Sequence, residues 1–280
     1  MDGVYVTDGY GGSHGEENVH SDNGTANEYD LADKVKFPEL SDPYLDSEGV
    51  AYEYPIGNPL TYLDYLDHCA LYIADNQIPD NEISPDTGDF DLISLGYFDP
   101  VINDTTQSKI SWHWDEEEGK GILEVEGVVW VEAASLDLGK KKEMIEYRGN
   151  GIIVVGQVVD GTHIQGDIRV SANLVAEGSY VPGGEGGFPN NVLGLIAQNI
   201  YLAPDPCDSM LTMTGAFYAE NQIVSRKQNE IAGTFVCKEF NISGQVPRIY
   251  QVPELANNLP PGIPGGTPIW SISTSQWSES

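Results

Sequence analysis

Two stretches decide how this chain is read: Gly215-Ala-Phe-Tyr-Ala-Glu-Asn-Gln-Ile and, 18 residues later, Gly233-Thr-Phe-Val-Cys-Lys-Glu-Phe-Asn-Ile. Each opens on glycine, places a phenylalanine two positions on, and ends on a second apolar residue. Three further segments lie over them: Gly121-Ile-Leu-Glu-Val-Glu-Gly-Val-Val, Gly151-Ile-Ile-Val-Val-Gly-Gln-Val-Val and Gly194-Leu-Ile-Ala-Gln-Asn-Ile-Tyr-Leu. The five glycines stand 30, 43, 21 and 18 residues apart. Steps near 20 residues are those of stacked supersecondary repeats, the longer ones carrying insertions or a second repeat. The strand Asp167-Ile-Arg-Val-Ser-Ala-Asn-Leu-Val-Ala-Glu-Gly falls inside the 43-residue step.

The expected fold is therefore mainly β, a right-handed parallel β-helix (β-solenoid) of five or six coils between Ile110 and Ser243, with an acidic N-terminal region containing a short helix. Ile153, Ile196, Phe217 and Phe235 are expected to form one interior column. A sandwich or jelly roll also uses many short strands. Gly151 to Val159, however, is apolar on both faces of a strand, which suits buried parallel strands.

Outward from the repeat, the texture changes. Residues 1–118 carry 27 acidic and 3 basic side chains, and residues 119–280 carry 17 and 10. Leu60, Leu63, Leu66, Ala70 and Ile73 recur at helical spacing, predicting a helix near 60–73 with Asn58 as N-cap before Pro59. It would cap or flank the solenoid. The organisation expected is an acidic region over 1–109, coils over 110–245, and a proline-rich extended tail over 246–280 laid along the coils, anchored by Trp270 and Trp277.

The formal charge of −31 disfavours direct binding to nucleic-acid backbones or anionic lipid heads. No run approaches the roughly 18–20 apolar residues of a membrane span, and Met1-Asp2-Gly3 opens a polar stretch without the character of a signal peptide. The start reads as an ectodomain trimmed of its export segment.

Elbow, phosphate-loop, zincin and dinucleotide motifs are missing. His14, His20, His68, His113 and His163 are scattered. Cys69 adjoins His68, but neighbours on a helix do not face one another. Carboxylate pairs are plentiful in so acidic a chain, and Asp115 to Glu118 beside Trp112 and Trp114 can be read as a glycosidase acid and nucleophile. Asp86, Asp89 and Asp91, or Asp42, Asp46 and Glu48, are candidate calcium ligands outside any known loop pattern. Cys207 and Cys237 are either a disulfide or two buried thiols. No residue is assigned a catalytic, cofactor-binding or metal-binding role.

The run Asn191-Val-Leu-Gly-Leu-Ile-Ala-Gln-Asn-Ile-Tyr, with Leu211-Thr-Met-Thr-Gly-Ala-Phe-Tyr-Ala-Glu-Asn, Gly233-Thr-Phe-Val and the Val246 to Gly262 tail, resembles the C-terminal solenoid of PilX-like type IV pilus assembly proteins and large minor pilins. The similarity extends to Trp112 and, more faintly, to Phe37-Pro-Glu-Leu-Ser-Asp-Pro-Tyr and Asn18-Val-His-Ser-Asp-Asn-Gly. The resemblance implies a non-enzymatic extracellular surface protein associated with type IV pili and with adhesion, assembly or uptake. Its implied partners are pilin subunits or other pilus assembly proteins, and surface glycans. Membrane contact would run only through an N-terminal hydrophobic helix that this sequence lacks. The alternatives are a carbohydrate-binding or carbohydrate-active β-helix, and a phage-type fibre or spike.

Overall fold

The computed structural model describes residues 37–264, apart from 47, 55–56, 179–188, 190, 208, 243, 253–254 and 256–257. His14, His20, Trp270 and Trp277, and the faint similarity around Asn18, lie outside the described residues. The strands and the helix belong to the unit that begins at Pro38.

Helix α1 spans Tyr62–Cys69 and buries Tyr62, Leu63, Tyr65, Leu66 and Cys69. Its cap differs from the expectation at Asn58. Thr61 accepts the Asp64 amide at 3.0 Å and its own amide donates to the Asp64 carboxylate at 3.1 Å, a reciprocal capping box. Pro59 is drawn instead into a bridge with Glu53. The helix stops at Cys69, because the chain continues without a loop as strand β1, Ala70–Ala74.

The remaining strands follow in order: β2 Glu82–Ile83, β3 Phe90–Ile93, β4 Tyr97–Asp99, β5 Asp104–Thr106, β6 Lys109–Asp115, β7 Lys120–Glu132, β8 Ser135–Leu138, β9 Met144–Arg148 and β10 Asn150–Val155. Then come β11 Gln157–Val159, β12 His163–Gln165, β13 Asp167–Val170, β14 Asn173–Ala176, β15 Val192–Leu202, β16 Thr212–Ser225, β17 Glu230–Ile242 and β18 Arg248–Gln251. The fold is mainly β.

Parallel pairing dominates, and it runs in three ladders. The first joins six strands, β1, the end of β7, β10, β15, β16 and β17, with Leu71, Val129, Ile153, Leu195, Phe217 and Phe235 in one register column. In the second, Ile83, Leu138, Val170, Leu202, Ser225 and Ile242 align. The third aligns Gly121, Ile145, Leu174, Met213, Ile231 and Ile249. Because β7, β15, β16 and β17 each take part in more than one ladder, the sheet bends around a common core, into which Val129, Ile153, Leu195, Phe217, Leu138 and Ile145 are buried.

Several expectations shift. Ile196 stands one position from the expected column and aligns with Val154 and Tyr218, while Leu195 takes the interior place. The ladders begin at β1, not near Ile110, and continue through β18 into the stretch expected as an extended tail. Ile110 belongs to β6, which pairs antiparallel with β3 and β7 as an insertion beside the ladders.

From β10 to β16 the first ladder is apolar on both faces because both are covered there. Successive residues of a strand point to opposite sides. On the side away from the core, Tyr218 donates its hydroxyl to the Pro38 carbonyl at 2.9 Å, and Ile263 fills the space where a side chain at Gly194 would sit. Farther along that cover, Gly262 lies against Tyr65 and Leu66 of α1.

All three cysteines are free. Cys207 donates to the carbonyl of Ser171 at 3.5 Å, whereas Cys237 sits in the first ladder beside Ala219, so the disulfide alternative is not formed.

Candidate functional site

At the end of β10 the chain leaves the ladder for an antiparallel excursion, β11 and β12, and returns as β13. The excursion turns at Asp160 and Gly161, both at positive φ (55° and 70°), as an Asp-Gly hairpin tip requires. Its neck is formed by Gly156 and Gly166, packed so closely that a Cβ on Gly166 would lie 2.5 Å from the Gly156 Cα.

Two buried groups fasten the hairpin down. Trp130 Nε1 donates to the Gly156 carbonyl at 2.7 Å. Glu220, 6% exposed, accepts the Ile164 amide at 2.7 Å and meets His163 Nδ1 at 3.0 Å. Replacing Glu220 with alanine strands the buried Ile164 N–H, a loss of about 1–3 kcal/mol. Glu220→Gln keeps an acceptor there and should lose less. Urea unfolding gives the two stabilities, and hydrogen exchange at the Ile164 amide shows whether the hairpin itself has come loose.

Between hairpin and ladder lies a cleft of about 400 Å³ lined by Asp75, Glu132, Gln157, Gln165, Asp167 and Gln198. Gln157 and Gln165 are direct cross-strand partners. Asp167 accepts from the Asn199 amide at 2.8 Å, and Asn199 in turn accepts from Asn221 at 2.9 Å. Asp75 is held by Asn81 at 2.8 Å. The carboxamides of Gln157, Gln165 and Gln198 make no side-chain hydrogen bond among the described residues.

Two residues before Asp75's neighbour Ala74 and before Glu132, the ladder carries an aromatic pair that is not part of the cleft lining. Tyr72 is 41% exposed and stacks on Trp130 at 5.7 Å with 24° between the planes. Tyr72 pairs with Trp130 and Ala74 with Glu132, so the ring and the Glu132 carboxylate share one face of the ladder. Burial, then the hydrogen bond to Asp67, then the charges of Asp67 and Glu132 raise the Tyr72 phenol above its ordinary range. It stays a neutral hydroxyl at physiological pH.

The residues singled out from the sequence lie elsewhere and are engaged locally. Asp86 pairs with Lys140 at 2.6 Å, Asp89 meets His113 at 2.7 Å, and Asp91 is in β3. Asp46 accepts the amides of Glu48 and Val50, and Asp42 that of Glu39. Neither acidic set converges, and among the described residues no group of three His, Cys, Asp or Glu is placed to hold a metal ion.

Asp115 accepts the amides of Glu117 and Glu118 in the turn between β6 and β7, and Glu118 pairs with Lys120. Trp112 is buried beneath Trp114, its ring filling the space over Gly121. Cys69 is buried, and burial followed by the Asp99 carboxylate pushes its thiol up to about 12 despite hydroxyls from Tyr97 and Tyr65. Such a thiol is no nucleophile at neutral pH. His68 meets the Phe98 carbonyl at 2.9 Å rather than facing Cys69.

Asp99, also buried, receives Tyr65 Oη at 2.8 Å and the amides of Val101 and Ile102. That carboxylate ties the β4–β5 insertion to α1.

The fold and cleft together define a mainly β protein of parallel ladders, with a polar recess where a hairpin leaves the stack. Among solved structures the chain is similar to the competence-associated pilin ComZ from Thermus thermophilus: the TM-score is 0.55 at 17% identity, covering 85% of this chain and 47% of that one. The likeness is one of fold. The chain spans about half the length of that pilin structure. No protein-family model matches the chain, and no curated protein matches it.

Proposed function

We propose that this chain is the β-rich extracellular body of a type IV pilus-associated surface protein, a PilX-like large minor pilin or a pilus-tip or assembly factor, without catalytic activity. The observation that carries this reading is the fold shared with a competence-associated pilin over 85% of the chain. The ladders are then successive coils of a right-handed parallel β-solenoid, the hand that nearly all parallel crossovers adopt. Its partners are pilin subunits or other pilus assembly proteins.

A non-catalytic role is supported by the fate of the reactive candidates. Asp115 accepts two amides of its own turn, Glu118 pairs with Lys120, and the Cys69 thiol is held protonated by burial.

The test is made in the source organism. The complete gene should encode a prepilin-type leader and an apolar helix ahead of this sequence, and the protein should co-purify with sheared pili. A gene without that leader, or a protein missing from the pilus fraction of piliated cells, overturns the reading.

A further inference from the structure

We propose that the cleft between the β11–β12 hairpin and the ladders binds a glycan built of pyranose rings without carboxylate or sulfate groups. Vicinal sugar hydroxyls both donate and accept. Carboxylates take only the donated bonds, whereas carboxamides meet either role. The cleft presents three carboxylates, Asp75, Glu132 and Asp167, interleaved with the carboxamides of Gln157, Gln165 and Gln198. On the same ladder face as Glu132, outside the cleft lining, the half-exposed Tyr72 ring stacks on its cross-strand partner Trp130, with its hydroxyl donated to Asp67.

Charge selects among glycans. Three carboxylates in one recess, on a chain of net charge −31, repel uronate, sialate and sulfate groups. A metal is the poorer occupant, since no group of three acidic, histidine or cysteine side chains converges among the described residues. Size agrees as well: about 400 Å³ lies within the roughly 300–1,000 Å³ of small-molecule sites.

The walls are also fixed before any ligand arrives. The Gly156–Gly166 neck, the Trp130 bond to Gly156 and the Glu220 anchor hold the hairpin wall. Asn199 and Asn81 hold two of the carboxylates. Preorganised polar groups lose less entropy on binding.

This deepens the surface-protein reading by naming a ligand class for one site, yet the two fail separately. Pilus fractionation tests the reading, and binding by the purified chain tests the cleft.

The experiment titrates the protein with maltotetraose, cellotetraose, tetra-N-acetylchitotetraose and trigalacturonate, followed by saturation-transfer NMR and calorimetry. At least one neutral oligosaccharide should bind and trigalacturonate should not. The double variant Gln157→Ala/Gln198→Ala alters two solvent-facing carboxamides and should weaken the neutral ligand about tenfold, with an unchanged urea midpoint. Perturbation of the Trp130 indole N–H signal in the wild-type protein gives a second readout. Failure of all three neutral sugars to bind, equal binding by the double variant, or equal binding of trigalacturonate overturns the proposal.

Discussion

Phe217→Ala should lower the free energy of unfolding by about 3–5 kcal/mol. Phe217 is 1% exposed and lies in the interior column between Leu195 and Phe235. Its ring stacks on Phe235 at 5.1 Å with 11° between the planes. Truncation removes the transfer energy of the ring and leaves a void that the neighbours cannot close, because their backbones are fixed by ladder bonds on both sides. Phe235 is only partly buried, so Phe235→Ala should cost less. The double variant should reveal a coupling of about 0.5–1.5 kcal/mol, the share due to ring on ring. Urea unfolding of the four proteins measures all three quantities. A loss below about 1 kcal/mol for Phe217→Ala would mean that the column is not the core.

The parts of this architecture that could be read beforehand are those where one tier follows the next without interruption. Between Gly215 and Gly233 the step is 18 residues, and there the register inferred from sequence and the register in the structure coincide. Insertions hide the rest. The earliest tier consists of a five-residue and a two-residue strand, β1 and β2, separated from the next by the antiparallel segment that includes β3 to β6. Neither strand is long enough to show a period.

Two of the five glycines, Gly121 and Gly194, do not mark the tier register and are glycines for another reason. Gly121 is required by the Trp112 ring, which would lie 1.9 Å from an added Cβ, and the residue that aligns with Gly151 is Gly127. Gly194 makes room for Ile263 of the covering segment, and Leu193 aligns with Gly151. At both positions glycine records a close approach, and the sequence does not say what approaches.

The cleft was still less legible. Asp75, Glu132, Gln157, Gln165, Asp167 and Gln198 come from segments far apart in the chain and meet only through the ladder register. The one local sign was Asp160-Gly161, a hairpin tip, together with glutamines inside otherwise apolar strands. Helix α1 was legible in its apolar spacing, but its start was not. Asn58-Pro59 and Thr61 with Asp64 are both good N-terminal signals, and the reciprocal capping box prevailed because Pro59 is engaged in a bridge with Glu53.

Gly233→Ala should cost about 3 kcal/mol and loosen the last tiers before the first. Gly233 has φ +156° and faces Gly215 of the preceding tier, itself at φ +146°. An added Cβ would lie 1.9 Å from the Gly215 carbonyl oxygen and 3.0 Å from its carbon. Those atoms are backbone held in the ladder, so no side-chain rotation relieves the contact. Gly161→Ala supplies the contrast: its φ is +70°, but nothing lies within 4 Å of the added methyl, so only the conformational penalty of roughly 1–2 kcal/mol remains. The difference between the two variants isolates the steric part of a tier-to-tier contact. Native-state hydrogen exchange locates it: amides of β17 and β18 should lose protection in Gly233→Ala while those of β7 and β10 keep theirs, since each tier contacts mainly its neighbours. Equal costs for the two substitutions would show that the tiers can slide apart at this corner, and that the 18-residue step is then set by the stacked phenylalanines rather than by the glycines.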